Sequence, residues 1–133
     1  MNEMLLWLVA CILGLIAVLH FFWGFGMSWG IEASIPWTRN GDTFSKPNSA
    51  ASLAVAFSMM IAAAGVLMPY DPWLKAQSLR FMALILGLRA LGDFRYSGFS
   101  KRIVGSRFAY WDTYAYSPAC VVVAGLALLA TIA

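Results

Sequence analysis

Residues 89–120 read RALGDFRYSGFSKRIVGSRFAYWDTYAYSPAC, and charged, aromatic and helix-boundary residues crowd together there as nowhere else in the chain. The sequence on either side is mostly apolar. Such a contrast is typical of a protein in which long hydrophobic helices are joined by one polar, structured segment. The stretch therefore predicts that the apolar segments on either side of it form the long helices of the fold.

The overall composition predicts an integral membrane protein. The chain has 133 residues, of which 62% are hydrophobic and 11% are charged, and its mean hydropathy is +0.76. Soluble domains carry roughly 25% charged residues. A chain of this length forms a single membrane domain, residues 1–133. Its net charge of +3 is explained better by orientation in a membrane than by nucleic-acid binding, because the cations are confined to loops.

The hydrophobic runs predict an all-α fold, an integral membrane bundle of four transmembrane helices. The runs approach or exceed the ~20 residues that a helix needs to cross a bilayer, and the first is too long for the apolar part of a signal peptide. The third is the least apolar, because Lys75, Arg80 and Arg89 lie near its ends. We expect helices at about residues 4–27, 50–68, 73–94 and 114–133, with Ser117 and Pro118 in the first turn of the last.

Lysines and arginines are divided unevenly between the two ends of this bundle. One end has only Lys75 and Arg80 besides the amino terminus. Because cytoplasmic loops are enriched in Lys and Arg, we expect the loops 30–49 and 95–113 in the cytoplasm and both termini outside. The cations of those loops are Arg39, Lys46, Arg95, Lys101, Arg102 and Arg107.

Several polar residues are expected at similar depth near the cytoplasmic end. His20 lies near that end of the first helix, Arg89 and Asp93 near that of the third, and Asp112 and Tyr116 near that of the fourth. Arg89 and Asp93 are four residues apart and can form a pair on one helix face. A guanidinium facing lipid would cost several kcal/mol. We therefore predict a polar pocket inside the cytoplasmic mouth.

This pocket has three interpretations, which the residues alone leave open. Buried ion pairs and hydrogen bonds would pin the loop 95–113 onto the bundle. Alternatively, Arg89, Lys101, Arg102 and Arg107 would bind an anionic head group or small anion, since guanidinium groups clamp phosphate with two hydrogen bonds. The loop cations would otherwise form a solvated basic face next to an anionic leaflet.

Catalytic, metal and redox patterns receive little support. A single histidine, His20, argues against a metal site and against a Ser-His-Asp hydrolase, and we predict no cofactor. His20 is expected to be either a hydrogen-bonded interior histidine or a proton switch. Two carboxylates among Glu32, Asp93 and Asp112 could transfer a proton near it, or they could simply balance the arginines.

We interpret the two cysteines and the small residues of the second helix as residues that pack against neighbouring helices. Cys11 and Cys120 are expected at depths too different for a disulfide, whose Cα atoms lie within about 7 Å. Small side chains recur every four residues along the second helix, which predicts close packing within a subunit or between subunits. These side chains are Ala50, Ala54, Ser58 and Ala62.

Three segments resemble an uncharacterised family of small bacterial four-span membrane proteins. They are L-H-F-F-W-G at residues 19–24, R-A-L-G-D-F-R-Y-S-G-F-S-K-R at 89–102 and F-A-Y-W-D-T-Y-A-Y-S-P-A-C at 108–120. The chain departs from the family pattern at Ser97, Ser100 and Ala119. The likeness is strongest to a homotrimeric inner-membrane member with a role in the cell envelope. It implies a multi-pass protein of the bacterial inner membrane that supports the permeability barrier, with no established reaction.

With this resemblance, the predicted function is that of an envelope component that binds membrane lipid or another anionic amphiphile, as a homo-oligomer and most simply a trimer. A small-solute transporter is one alternative, with a continuous polar path from His20. A membrane enzyme acting on a lipid-like substrate with His20 and a carboxylate is another. The candidate ligand-binding residues are His20, Trp23, Arg89, Asp93, Arg95, Lys101, Arg107, Asp112 and Tyr116.

Overall fold

A computed structural model describes residues 1–36, 40 and 48–132. Within those residues the chain is helical and has no strand. The main helices are α1 (Glu3–Gly24), α2 (Ser49–Leu67), α3 (Pro72–Leu91), α4 (Arg107–Trp111) and α5 (Ser117–Ile132). A 3-10 helix, Ile31–Ser34, follows α1, and a π-helical turn, Asp112–Tyr116, joins α4 to α5.

Local sequence signals explain where the helices begin. Each of the first four has a side chain at its N-cap that accepts hydrogen bonds from free backbone N–H groups of the first turn. The caps are Asn2, Asn48, Asp71 and Ser106. Because Ser106 caps α4, the last long helix begins at Arg107 rather than at about residue 114, and Ser117 and Pro118 lie inside it.

Glycines near the ends of α1 and α3 place both ends earlier than expected. α3 ends at Leu91 rather than at about residue 94, because Gly92 has a φ of 93°, which lies outside helical geometry. α1 ends at Gly24 rather than at about 27, and Gly26 has a φ of 92°.

Within the described ranges, three helices are long and apolar enough to cross a membrane. They are Glu3–Gly24, Ser49–Leu67 and the continuous helix Arg107–Ile132. α3 has 20 residues but carries Lys75, Arg80 and Arg89, which lower its hydropathy. A fourth span through α3 stays a prediction. The expected cations Arg39 and Lys46 of the first loop lie outside the described residues.

The long helices α1, α2, α3 and α5 form a bundle around a shared core. α1 packs against α2 on one side and α5 on the other, and α5 also packs against α3. The buried core combines larger aliphatic side chains of α1 and α3 with small ones of α5, which allow close approach. The core residues include Leu6, Val9, Leu13, Leu79, Ala83, Val123, Ala124, Ala127 and Ala130.

Most of the regular row of small residues on α2 lies outside this packing. Ala50, Ala54 and Ser58 are exposed in the single chain. α2 instead buries another set of mostly small residues, Ser52, Ala56, Ala63 and Val66. Ala62, the fourth member of the row, is half-buried and packs against the core of the same chain, so the row is divided between the two roles that the sequence left open.

A groove separates α2 from α3. Among the described residues, α2 and α3 share no extensive contact. The space between them has a volume of about 350 Å³ and is lined almost entirely by apolar side chains. Phe81 and Ile85 of α3 line it and are also exposed, so the groove opens sideways from the bundle.

Candidate functional site

A buried carboxylate organises the polar end of the bundle. Asp112 is 0% exposed and begins the π-helical turn. The wider turn brings Ser117, five residues on, within hydrogen-bond reach, and its hydroxyl donates to Asp112 Oδ1 at 3.3 Å. Single π-turns inside α-helices occur often at functional sites. Here the turn provides a side-chain donor on the helix that holds Asp112.

Two cations and one backbone amide complete the coordination of Asp112. Arg89 Nη2 donates to Oδ1 at 2.8 Å, whereas Lys101 Nζ and the Gly98 N–H donate to Oδ2 at 3.2 and 2.7 Å. A buried ion is tolerated when its lone pairs are satisfied in this way. Two cations face one carboxylate, so the cluster keeps one positive charge.

Lys101 is fully engaged inside the protein. Its side chain is 3% exposed, and its ammonium also donates to the Gly98 carbonyl at 2.9 Å and to Thr113 Oγ1 at 2.6 Å. An ammonium has three N–H donors, and three acceptors occupy them. Lys101 therefore pins the loop onto the helix, which agrees with the structural interpretation of the cluster.

Two glycines let the loop after α3 fold back. Gly92 and Gly98 both have positive φ angles, and a Cβ on either would collide with the backbone of the segment around the other. The close approach is fixed by hydrogen bonds from Phe99 N to the Ala90 carbonyl and from Ser100 N to the Leu91 carbonyl, at 2.8 and 3.1 Å. It presents the Gly98 amide to Asp112.

Asp93 shapes the same loop and does not pair with Arg89, so the expected i, i+4 pair is wrong. Since α3 ends before it, Asp93 no longer shares a helix face with Arg89. Its Oδ1 accepts from the backbone N–H groups of Arg95, Tyr96 and Ser97 at 3.0, 2.7 and 2.9 Å. Partial burial raises the pKa of Asp93, but these hydrogen bonds outweigh it and hold the pKa below its ordinary value of 3.8.

Next to the Asp112 cluster lies a partly open space of about 330 Å³, which we name the inner cavity. α1, α3 and α5 form its walls, and Ser34 and Phe108 close it from the loop side. Most of its lining is apolar. The polar side chains that reach it are His20, Ser34, Arg89 and Tyr116. None of the described lining residues is a carboxylate.

Arg89 connects the inner cavity with the cluster. Its Nη1 atom is buried and has no hydrogen-bond partner among the described residues, while Nη2 is held by Asp112. Leaving a buried donor unsatisfied costs about 1–3 kcal/mol, and more for a charged group. An acceptor that entered the cavity beside Nη1 would relieve this cost.

His20 lines the same space. Its Nδ1 donates to the Ile16 carbonyl at 2.8 Å, because a carbonyl can only accept. In the neutral ring Nε2 is then the unprotonated nitrogen. The imidazole packs edge-on against Trp23 with ring centroids 5.0 Å apart. His20 is thus a hydrogen-bonded interior histidine, and a proton-switching role stays a prediction.

The inner cavity adjoins the groove between α2 and α3. Leu13, Met59 and Leu86 line both spaces. The groove runs from this shared wall towards Tyr70 and Ser78 at the opposite end of the bundle. The polar end at Arg89 therefore lies next to an apolar groove that is open to the side.

On its loop side the inner cavity borders an aromatic cleft of about 610 Å³. Leu19, Trp23 and Tyr116 form the wall between them. Both polar wall residues bind the segment that follows α1. Trp23 Nε1 donates to the Trp29 carbonyl at 2.8 Å, and the Tyr116 hydroxyl donates to the Ala33 carbonyl at 3.2 Å.

The candidate residues thus fall into five places rather than one pocket. Arg89 and His20 line the inner cavity, Trp23 and Tyr116 line both the cavity and the cleft, and Arg107 lines the cleft. Lys101 and Asp112 form the buried cluster, and Asp93 supports the loop. Arg95 lies with Phe94, Arg102 and Ile103 at a separate surface cleft of about 560 Å³. Ligand binding by any of them stays a prediction.

Some contributors were missed at the level of sequence. The Gly98 amide, Thr113 and Ser117 all serve the cluster, and Ser34 lines the cavity. The G-D-F-R-Y-S-G pattern was a usable signal, since two glycines around an aspartate favour a tight turn. Among the described residues, no three His, Cys, Asp or Glu side chains come together in a way that could hold a metal ion.

The fold and the cluster define a helical protein with at least three helices suited to a membrane and a polar, ion-paired end. Residues 4–127 match a family described as "Protein of unknown function (DUF3995)", and the chain belongs to that family. No curated protein matches. No solved structure matches either.

Proposed function

We propose that this protein binds an amphiphile with an acidic head group, placing the head in the inner cavity and the apolar chain in the groove between α2 and α3. The observation that carries the proposal is the buried, unpartnered Nη1 of Arg89, a residue that lines the inner cavity, beside the adjoining apolar groove. Ligand sites combine mostly apolar walls with a few convergent polar groups, and this space has that character.

The charge of the cluster favours an acid over a neutral head group. Arg89 and Lys101 together exceed the single charge of Asp112. A carboxylate or phosphate oxygen beside Nη1 would satisfy the donor and balance the remaining charge. His20 Nε2 and the Ser34 hydroxyl would bind a protonated oxygen of the same head group.

The shape of the space favours an apolar chain that arrives from the membrane. The groove is open on the side of Phe81 and Ile85, two exposed residues of α3. A lipid tail could enter there without crossing the polar loops. The path then leads between Met59 and Leu86 to the Arg89 end.

We further propose that α3 forms a fourth span, that the protein lies in the bacterial inner membrane with both termini outside, and that it supports the envelope permeability barrier as a homo-oligomer, a trimer by resemblance. Exposure of Ala50, Ala54 and Ser58 on α2 supports contact between subunits, since small residues favour helix association.

Native mass spectrometry of the full chain, extracted with its membrane lipids, tests head-group binding and subunit number together. We expect a defined oligomer with one acidic amphiphile per subunit. Arg89→Lys should keep the ion pair with Asp112 and lose the bound acid, because lysine has no second nitrogen to replace Nη1. Arg80→Lys makes the same change at an exposed position of α3 and should retain the acid. Equal retention by both variants would refute the proposal.

A second pair of variants tests the tail path. Gly65 lines the groove, and a Cβ there would meet open space. Gly65→Leu should therefore fill the groove without disturbing the backbone and reduce amphiphile retention. Gly87→Leu is the control, because Gly87 also has open space around it but lies outside the groove. Retention unchanged in Gly65→Leu would place the tail elsewhere.

Transport is the second candidate function, and one observation favours it. The aromatic cleft borders the inner cavity, and the inner cavity borders the groove. The three spaces therefore lie one after another from the loop end to the opposite end of the bundle. Uptake of a fluorescent acidic amphiphile into proteoliposomes would distinguish movement from binding. The enzyme hypothesis lacks a comparable observation, because no described carboxylate shares the cavity with His20.

A further inference from the structure

The aromatic cleft has a chemistry different from that of the inner cavity. Three tryptophans and one tyrosine line it, namely Trp23, Trp29, Trp111 and Tyr116. A carboxylate, Glu32, and a guanidinium, Arg107, line the same space. The inner cavity offers one cation, Arg89, and no described carboxylate, whereas the cleft offers both signs of charge among aromatic rings.

The two charges in the cleft do not neutralise each other. Glu32 and Arg107 are both exposed, and neither forms an ion pair with another described residue. The main-chain segments that carry them are held in place. Ser106 caps the helix turn of Arg107, and Glu32 lies in the 3-10 helix, where Tyr116 binds the adjacent Ala33 carbonyl.

The aromatic rings favour a cation next to Glu32. An ammonium within about 6 Å of a tryptophan face is attracted by the ring, and alkylated ammonium groups are bound in aromatic cages on this basis. Arg107 in the same cleft would repel a simple cation. It would bind the anionic part of a ligand that carries both charges.

We propose that the aromatic cleft binds a zwitterionic head group that joins an alkylated ammonium to a phosphate. The ammonium lies against the tryptophans and Glu32, and the phosphate lies on Arg107. This site is separate from the acid site of the inner cavity and does not depend on it. The same head group occurs on a membrane lipid and on a small soluble ester, so the test contains both.

The test uses the full chain in nanodiscs made only of phosphatidylglycerol, which contains no ammonium. Binding of phosphocholine, and of dihexanoylphosphatidylcholine as a soluble lipid, is measured by isothermal titration calorimetry. Choline and inorganic phosphate are titrated separately as the two halves of the ligand. We expect at least one zwitterion to bind about tenfold or more tightly than either half, as one added charged hydrogen bond would produce.

Charge variants connect binding to the cleft. Glu32→Gln and Arg107→Gln should each weaken zwitterion binding about tenfold or more, because each removes one charged contact. Glu3→Gln and Arg102→Gln remove an exposed acid and an exposed base outside the cleft and should leave the affinity unchanged. All four positions are exposed, so assembly should be normal by gel filtration.

The outcomes are distinct. Binding of phosphocholine alone would identify a soluble ligand, and preference for the short lipid would identify a membrane lipid; either supports the site. Absence of saturable binding by both zwitterions overturns the proposal. Binding of choline as tightly as phosphocholine, or equal affinity in Arg107→Gln, overturns it as well.

Discussion

Replacing Asp112 by asparagine should destabilise the protein strongly while leaving the size of the side chain unchanged. The carboxylate is fully buried and accepts hydrogen bonds from Arg89 and Ser117 on one oxygen and from Gly98 and Lys101 on the other. An amide keeps one acceptor and turns the other into a donor. In either orientation the amide loses one charged partner, and with its nitrogen at the Oδ2 position it also loses the Gly98 N–H.

The expected magnitude follows from those lost partners. A hydrogen bond to a charged group contributes about 1.5–3 kcal/mol and a neutral one about 0.5–1.5 kcal/mol. Removing one partner of a buried ion pair costs about 3–5 kcal/mol in total. We therefore expect Asp112→Asn to lower the free energy of unfolding by about 3–5 kcal/mol.

The assay is titration with sodium dodecyl sulfate in mixed micelles, followed by far-ultraviolet circular dichroism. Asp71→Asn is the matched control, because Asp71 is an exposed N-cap that accepts from Leu74 N, and asparagine caps equally well. The double variant Lys101→Met with Asp112→Asn should cost less than the sum of the single changes. A cost below about 1 kcal/mol for Asp112→Asn, or strict additivity, would refute the role of this cluster.

Three further predictions concern the loop and the cleft. Gly98→Ala should give far less folded protein by gel filtration than Gly105→Ala. Both glycines have a positive φ, but only at Gly98 would the added Cβ collide with backbone atoms. Gly105→Ala should lower the free energy of unfolding by about 1–2 kcal/mol. Because the pKa of Asp93 is lowered by folding, its contribution to stability is present above pH 3.8 and is lost as the pH falls through the folded pKa. Thermal melts at decreasing pH should show that loss in the parent and not in Asp93→Asn. Trp23→Phe removes the hydrogen bond to the Trp29 carbonyl, worth about 1 kcal/mol, and should speed hydrogen exchange in residues 29–34; unchanged exchange would contradict this.

Hydrophobic run length predicted much of the architecture, because helices that bury backbone groups in lipid follow composition closely. α1 and α2 correspond to uninterrupted apolar runs, and their ends differ from expectation by a few residues. The predicted start of the last helix, at about residue 114, is later than the observed start at Arg107, because the polar residues before 114 have the composition of a loop. Their helical structure depends on the Ser106 cap and on burial of Asp112, which a run-length argument does not register.

The polar residues were predicted to meet at one depth, and several do, but their pairing was not predictable from spacing. Arg89 and Asp93 have the right separation for a helix pair, yet Gly92 ends the helix between them. Asp112, which lies 23 residues from Arg89 in the chain, forms the ion pair with it instead. Contacts over such distances depend on how helices are placed in three dimensions, and a single sequence does not encode that placement in a local pattern.

The pairing of the helices has a consequence for the groove between α2 and α3. α3 and α5 are joined by the Asp112 ion pairs as well as by packing, whereas α1 and α2 form a pair through apolar contact. The two pairs meet along α1 and α5, and the Tyr116 to Ala33 hydrogen bond crosses that seam. A small rigid rotation of one pair about the seam would widen or narrow the groove while each pair keeps its own packing. Opening of the groove in this way would need no change inside either pair.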